Sequence, residues 1–346
     1  DSRGTWPSVG RGLDAVAHDC NVMIFNYSGP TGYMQSPRMF SSHEWLYAPW
    51  VVPPASLGEN ATLYLLVHNE FHGWEHAPEL CNATSMVKGR CWYNSVSLSV
   101  SRDGGRHIEH VAPPPLHLVA AATTPYVPNR GAYGVFSPSQ IVPYKGWLYS
   151  FPLFSTQAGR SGVTVMRIEE KDLRDPTKWR FWTGGDESSF TGRFVDPYTQ
   201  QGGATPSALV FGPPPNASQP KQPTPSQPVP RYMPAQGIFV MTGYANMPSG
   251  HGIGGHFGYA TAKLPWGPWS AMRPITGVDV NPTKDSGAPR GLYPSLLDPS
   301  SPSLSYATIE GDTAYLYWVQ GRNKTVVHAP DMARDLWRQK VKIHFE

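Results

Sequence analysis

The densest run of chemically capable side chains is Val67-His68-Asn69-Glu70-Phe71-His72-Gly73-Trp74-Glu75-His76. A carboxyl group among imidazoles is equipment for proton transfer, because partial burial raises a carboxyl pKa while histidine exchanges protons near neutrality. His68, His72 and His76 recur at every fourth position, which would align them on a helix. The run continues from Leu63-Tyr64-Leu65-Leu66, however, and an extended strand puts His68, Glu70 and His72 on one side. An acid/base pair of Glu70 with His72 is therefore expected in preference to a zinc site, and no metal or cofactor is expected. Acid/base chemistry commonly pairs two carboxyl groups, one protonated and one ionised, and Asp196 in Phe194-Val195-Asp196-Pro197-Tyr198 is the candidate partner. An Asp before Pro also caps turns, and that reading stands beside the catalytic one.

Around this pair the sequence offers binding groups. Arg167, Arg193 and Arg290 carry planar guanidinium groups suited to an acidic sugar. His68, Trp74, Glu75, Tyr198, His256 and Tyr293 complete the expected substrate-binding set. Trp74, Tyr198, Tyr244 and Tyr293 could stack on sugar rings, although at 12% aromatics most such side chains must be core. His251 and His256 sit in a Gly-rich loop that needs no function beyond flexibility.

These residues need rigid elements to hold them. The 346 residues contain 37 Pro and 34 Gly but only 15% charged side chains, which favours many short strands and turns over long helices. A net charge of +3 with scattered basic residues leaves no footprint for nucleic acid, and no apolar run is long enough for a helical membrane span. Asn26, Asn60, Asn82, Asn216 and Asn323 open N-x-S/T acceptor sites. Cys81 and Cys91 bracket a short polar segment and can close a disulfide, leaving Cys20 as a buried thiol. Secretion is the expectation these features share, with Asp1 read as the start of a mature chain.

One pattern recurs: an aromatic-rich strand, a polar loop, a second strand, a tight turn and a bulky closing residue. Its copies begin at 21–29, 63–70, 146–154, 237–244 and 313–321 and close at Trp45, Ile108, Trp179, Trp269 and Trp337. Residues 212–230, rich in Pro, read as a solvated loop inserted in the fourth copy. Five units of four antiparallel strands describe a single all-β domain over 1–346, a five-bladed β-propeller; a β-sandwich would not need the repeating Trp. Alternation of connections then puts the loop after Leu66, the 249–256 loop and the 184–203 and 277–295 crossovers on one face, taken as the functional one.

Ser101-Arg102-Asp103-Gly104-Gly105 resembles the Asp box of sialidases, with Ile108 where that motif carries Trp. The resemblance implies a turn role for Asp103. Together with 63–73, 95–105, 165–182 and 193–198, most of residues 20–346 looks like the five-bladed glycoside hydrolase-like propellers related to arabinanases and sialidases. It implies the fold and a carbohydrate substrate. The Asp-Asp-Glu set of the arabinanase type and the Arg triad with Tyr nucleophile of sialidases are not assigned to residues here, and a fold alone does not supply a reaction.

Three functions remain in view. The first is a secreted glycoside hydrolase, expected as a monomer, using Glu70 and Asp196 with His72 sharing the proton transfer. The second is a polysaccharide lyase in which His72 or Tyr293 removes a proton beside a uronate carboxylate held by Arg290. The third is a lectin-like propeller that binds glycan without chemistry. Two converging carboxylates would favour the first, and a mouth of aromatics and amides the last.

Overall fold

The computed structural model describes residues 4–5, 8–10, 15–19, 21–26, 36–56, 59–82, 90–156, 161–200, 203–206, 208–212, 225–245, 257–278, 291–321 and 334–344. Its regular structure is strand, interrupted by single 3₁₀ turns such as Pro37–Met39 and Pro176–Lys178. Among the described residues no helix is long and apolar enough to cross a membrane.

Period-two patterning builds the central strands. In Cys91–Ser101, Val96, Leu98 and Val100 alternate with Ser95, Ser97, Ser99 and Ser101. Val96 and Leu98 enter the main core with Leu66, Ala48 and Val135, each such side chain contributing about 1.5–3 kcal/mol by leaving water. The serines face the other way, where Asn69 Nδ2 donates to Ser97 Oγ at 3.0 Å. Thr62–His72 is hydrogen-bonded along both edges, to Trp45–Val52 and Cys91–Ser101, and is fully buried from Leu65 to Asn69.

Two sheets match the expected four-stranded unit. One orders Val142–Tyr144, Trp147–Ser150, Met166–Glu169 and Arg180–Phe181, and the other Pro225–Met233, Ile238–Ala245, Phe257–Ala262 and Arg273–Pro274. The last sheet has three described strands, Gly291–Leu297, Thr313–Gly321 and Arg334–Lys342. The first grows to eight, since Gly131–Phe136 joins Cys91–Ser101 in parallel and carries Leu153–Ser155 and Ser161–Val163 with it. That parallel join departs from the all-antiparallel expectation. It rests on Gly134, at φ 121°, whose added Cβ would lie 2.1 Å from the Asn94 carbonyl oxygen.

The expected first repeat is not found as a unit among the described residues: Phe25–Asn26 pairs only with Gly4–Thr5. Trp45, expected to close that repeat, opens the next sheet and is 41% exposed. Trp337, expected after a turn, lies within Arg334–Lys342 opposite Trp318. The Pro-rich stretch is loop-like in sequence but becomes a strand at Pro225. An edge strand tolerates proline, and the register shift between Ser226 and Val229 takes up Pro228. Residues 213–224, and Cys20, lie outside the described residues.

The Ser101–His107 turn follows from Asp103. Its Oδ1 accepts from Ser101 Oγ at 2.8 Å and from the Arg106 and His107 backbone N–H groups at 3.0 Å each. Cys81 and Cys91 are joined as a disulfide. Between the last two sheets Arg231, 1% exposed, gives Nε to the Leu296 carbonyl at 2.7 Å, Nη1 to the Pro230 carbonyl at 2.8 Å and Nη2 to Ser295 Oγ at 3.2 Å.

Substituting Gly134→Ala should lower stability by about 2–3 kcal/mol through overpacking against Asn94, read as a lower urea midpoint at unchanged m-value.

Candidate active site

The strand register brings one end of each sheet together with the head of its first strand: Trp45 pairs with His68, Pro225 with Ala245 and Gly291 with Gln320. At that end the first strands are bulged. The register slips between Leu46 and Ala48, Ser226 and Val229, and Leu292 and Ser295. Gln227 (φ 54°), Tyr293 (φ 59°) and Ser137 (φ 38°) adopt left-handed backbone there. A bulge re-aims a side chain that regular alternation would send elsewhere. The outcome is a shared mouth in which the Tyr47 phenol lies against Ser137 and Gln227, with Tyr293 and Glu70 beside it. Burial pushes the Tyr47 phenol well above its ordinary pKa, so it stays protonated.

Glu70 sits at the rim of this mouth, its side chain 15% exposed. His68 and His72 flank it along one side of the strand, with His72 Nε2 at 3.2 Å and His68 Nδ1 at 3.6 Å from its oxygens. The Trp45 indole N–H donates to the same carboxylate. His68 is buried and its Nε2 meets Asn94 Oδ1 at 2.9 Å, which ties Glu70's neighbour to the Gly134 join. His72 Nδ1 meets Glu75 Oε1 at 3.2 Å, and Glu75 Oε2 meets His43 Nε2 at 2.6 Å. The His72 ring stacks on His43 at 4.2 Å and on Trp74 at 4.3 Å, and stands edge-on to Trp92.

His72 is thus held between two carboxylates. Burial lowers its pKa, but the hydrogen bonds it donates to Glu70 and Glu75 outweigh burial and leave it above the ordinary 6.5. For Glu70, burial raises the pKa while the His72 hydrogen bond and the nearby His68 charge pull harder, for a net fall below 4.5. Glu75 falls further, burial again being outweighed, here by His43 and His72. The cluster therefore favours a proton on the His72 imidazole and ionised carboxylates on either side of it. His43, His72 and Glu75 each present an atom within 4.8 Å of the others, a set that could hold a metal, but these atoms already bond one another.

Other sequence candidates lie elsewhere. The Asp196 carboxylate accepts from the Tyr198 N–H and the Thr199 hydroxyl, both at 2.9 Å, as a turn cap does. Its electrostatic reach is to Tyr93, which packs with Phe71 on the sheet face opposite Glu70. The sheet separates Asp196 from Glu70, and the expected carboxylate pair does not form. Tyr198 spends its hydroxyl on the Tyr126 N–H at 2.9 Å and packs on Phe40. The Arg167 guanidinium is enclosed by Trp147 at 3.9 Å and Phe190 at 4.3 Å and bonds Glu187, a structural post away from the mouth. Arg193 is exposed beside Arg180. His76 stacks on Phe71. His251, His256 and Arg290 lie outside the described residues, as do Asn216 and Asn323 and the Tyr244 side chain.

Sequence reasoning missed Tyr47, Ser137, Gln227, Trp45 and His43. A usable signal was present: Ser137-Pro138, Gln227-Pro228 and Tyr293-Pro294 repeat a residue with left-handed backbone before proline. A cavity of about 960 Å³ lies between the last two sheets, and its lining from Ile238 to His344 contains no carboxylate.

No family model and no curated protein matches the chain. Among solved structures, an α-L-arabinofuranosidase from Lactobacillus brevis is 11% identical with a TM-score of 0.46, covering 94% of this chain and 78% of that one. A GH43 endo-arabinanase from Bacillus licheniformis is 12% identical at TM-score 0.41, covering 86% and 72%. A protein of unknown function from Dyadobacter fermentans is 12% identical at TM-score 0.39, covering 78% of this chain and 56% of its own. Likeness at this distance brings no activity with it.

The pKa shifts set a pH window. His72, raised above 6.5, contributes its full stabilisation below that value and loses it as pH rises through its folded pKa; Glu70 and Glu75, depressed below 4.5, contribute above 4.5 and lose it as pH falls through theirs. The stability difference between wild type and His72→Asn should therefore peak near pH 5–6 and shrink toward pH 9, as read by urea titration across that range.

Proposed function

We propose that this chain is a secreted, carbohydrate-cleaving enzyme of the glycoside hydrolase type, acting at the mouth around Glu70. The observation that carries the reading is the Glu70–His72–Glu75 relay at a mouth edged by exposed aromatics, Trp45 at 41% and Tyr293 at 40%. Sugars bind through apolar ring faces stacked on aromatics and hydroxyls paired with a few fixed polar groups. Gln227 Oε1, buried without a hydrogen-bond partner, supplies an acceptor for such a hydroxyl. In the reaction the Glu70 carboxylate takes the proton of the attacking water, held in place for it by His72 at 3.2 Å, while the departing glycosidic oxygen takes its proton from solvent in the open mouth. Glu75 holds the His72 ring in its orientation through Nδ1, and His43 in turn bonds the other Glu75 oxygen.

A second reading, elimination by a lyase, is favoured by one specific feature: the Tyr47 and Tyr293 phenols stand beside Glu70, whereas Asp196 does not. There Glu70 would remove the proton beside a uronate carboxylate. The accompanying fold proposal is a five-bladed propeller whose remaining blade is drawn from the N-terminal region. Secretion is supported by the Cys81–Cys91 bond and by the exposure of the acceptor residues Asn60 and Asn82.

Glu70→Gln and His72→Asn should each lower the turnover of an acidic or neutral polysaccharide panel by about 10²–10⁴-fold, while Asp196→Asn stays within a few-fold of wild type. Mass spectrometry of the products decides the chemistry: fragments carrying added water support hydrolysis, unsaturated fragments mean elimination, and retention without cleavage means binding alone. Protein from a eukaryotic secretory host should lose mass on treatment with an N-glycosidase, and less so in the Asn60→Gln, Asn82→Gln double variant.

A further inference from the structure

A second cluster of ligand-type side chains lies away from the mouth, between the segment around Ser41–Glu44 and the Glu109–His117 side of the first sheet. Glu44 is 2% exposed although it is a carboxylate, and His110 Nε2 meets its Oε1 at 2.7 Å while Ser41 Oγ donates to Oε2 at 3.2 Å. The His117 ring lies 4.5 Å from the His110 ring and is fully buried. Neither His117 ring nitrogen has a hydrogen-bond partner: the Pro115 and Phe40 carbonyls approach the ring without completing a bond. Ser99 Oγ, on the residue paired with His110, and Ser42 Oγ are also buried without partners. Polar atoms are rarely left so, because each orphan costs about 1–3 kcal/mol, and a group of them around one carboxylate calls for a missing occupant.

We propose that Glu44, His110 and His117 form a binding site for a divalent transition metal of the zinc class, separate from the catalytic mouth. Two imidazole nitrogens and one carboxylate oxygen are the donor set that zinc prefers, with a fourth position open to water. The three ligand atoms lie within 4.8 Å of one another. Tetrahedral zinc with ligands at roughly 2.0–2.1 Å holds them roughly 3.3 Å apart, which small side-chain rotations reach from here. The metal takes the place of the proton now shared by His110 and Glu44. A backbone carbonyl beside His117 would then accept the ring N–H that faces away from the metal, the arrangement that orients most metal-bound histidines. Ser41 would hold the second carboxylate oxygen of Glu44. Calcium and magnesium are disfavoured, since both require mainly oxygen ligands.

The test is zinc content by plasma mass spectrometry after incubation of the full chain with zinc and exhaustive desalting. Wild type should keep about one equivalent, His110→Ala should lose at least roughly tenfold in retention, and His43→Gln, which breaks the other cluster, should keep its metal. Cobalt in place of zinc should give visible absorption bands of a four-coordinate ion in wild type and none in His110→Ala. His110 is 21% exposed, so this variant is expected to fold; Glu44→Gln serves as the second variant and should also lose the metal. Cooperatively melting wild-type protein that retains no zinc, or retention unchanged in His110→Ala and Glu44→Gln, overturns the proposal. Glycan cleavage that survives chelation leaves this site and the catalytic reading separately judged.

Discussion

Three sheets meet where Tyr47, Ser137, Gln227 and Tyr293 press together, and the mouth exists because the strands carrying Tyr47, Gln227 and Tyr293 are each bulged there. Without the bulges, strict alternation would send these side chains into the sheets on either side. Left-handed backbone at three of the four positions carries a conformational cost that packing around the phenol must offset. Glu70 inherits its surroundings from this convergence: aromatic and amide groups on one side, the His68 and His72 rings on the other.

The charge arrangement follows from the same geometry. A lone carboxylate at 15% exposure would drift toward its neutral form, but two imidazoles and an indole N–H reverse that tendency. The cationic form of His72 is in turn favoured by a carboxylate on each nitrogen. The cluster therefore favours its proton on the imidazole, which distinguishes it from the two-carboxylate arrangement in which one carboxyl group is the acid.

How much of this the sequence announced depends on whether a residue obeys its local period. His68, Glu70 and His72 follow the two-residue alternation of a strand, so their common side was legible, as was the turn made by Asp103 and the pairing of Cys81 with Cys91. Asp196 was legible in both its possible roles, and the backbone N–H two residues on decided for the turn. Arg167 gave no hint of the Trp147 and Phe190 rings that enclose it, because that contact joins segments twenty residues apart. Tyr47 and Gln227 were hidden by bulges, which invert the facing that alternation predicts. Glu44, His110 and His117 had no spacing to reveal them, since the first is brought to the other two by tertiary packing alone.

Arg231 carries a consequence for the way the chain is assembled. With no ion pair among the described residues, the fully buried guanidinium of Arg231 depends on carbonyl and hydroxyl acceptors, which come from its own strand and from Gly291–Leu297. The strand that contributes the arginine cannot shed water from it until the following sheet has arrived. The C-terminal two sheets are thereby bound into one cooperative folding unit, and excising or transplanting either as an independent module would strand a charge in its interior.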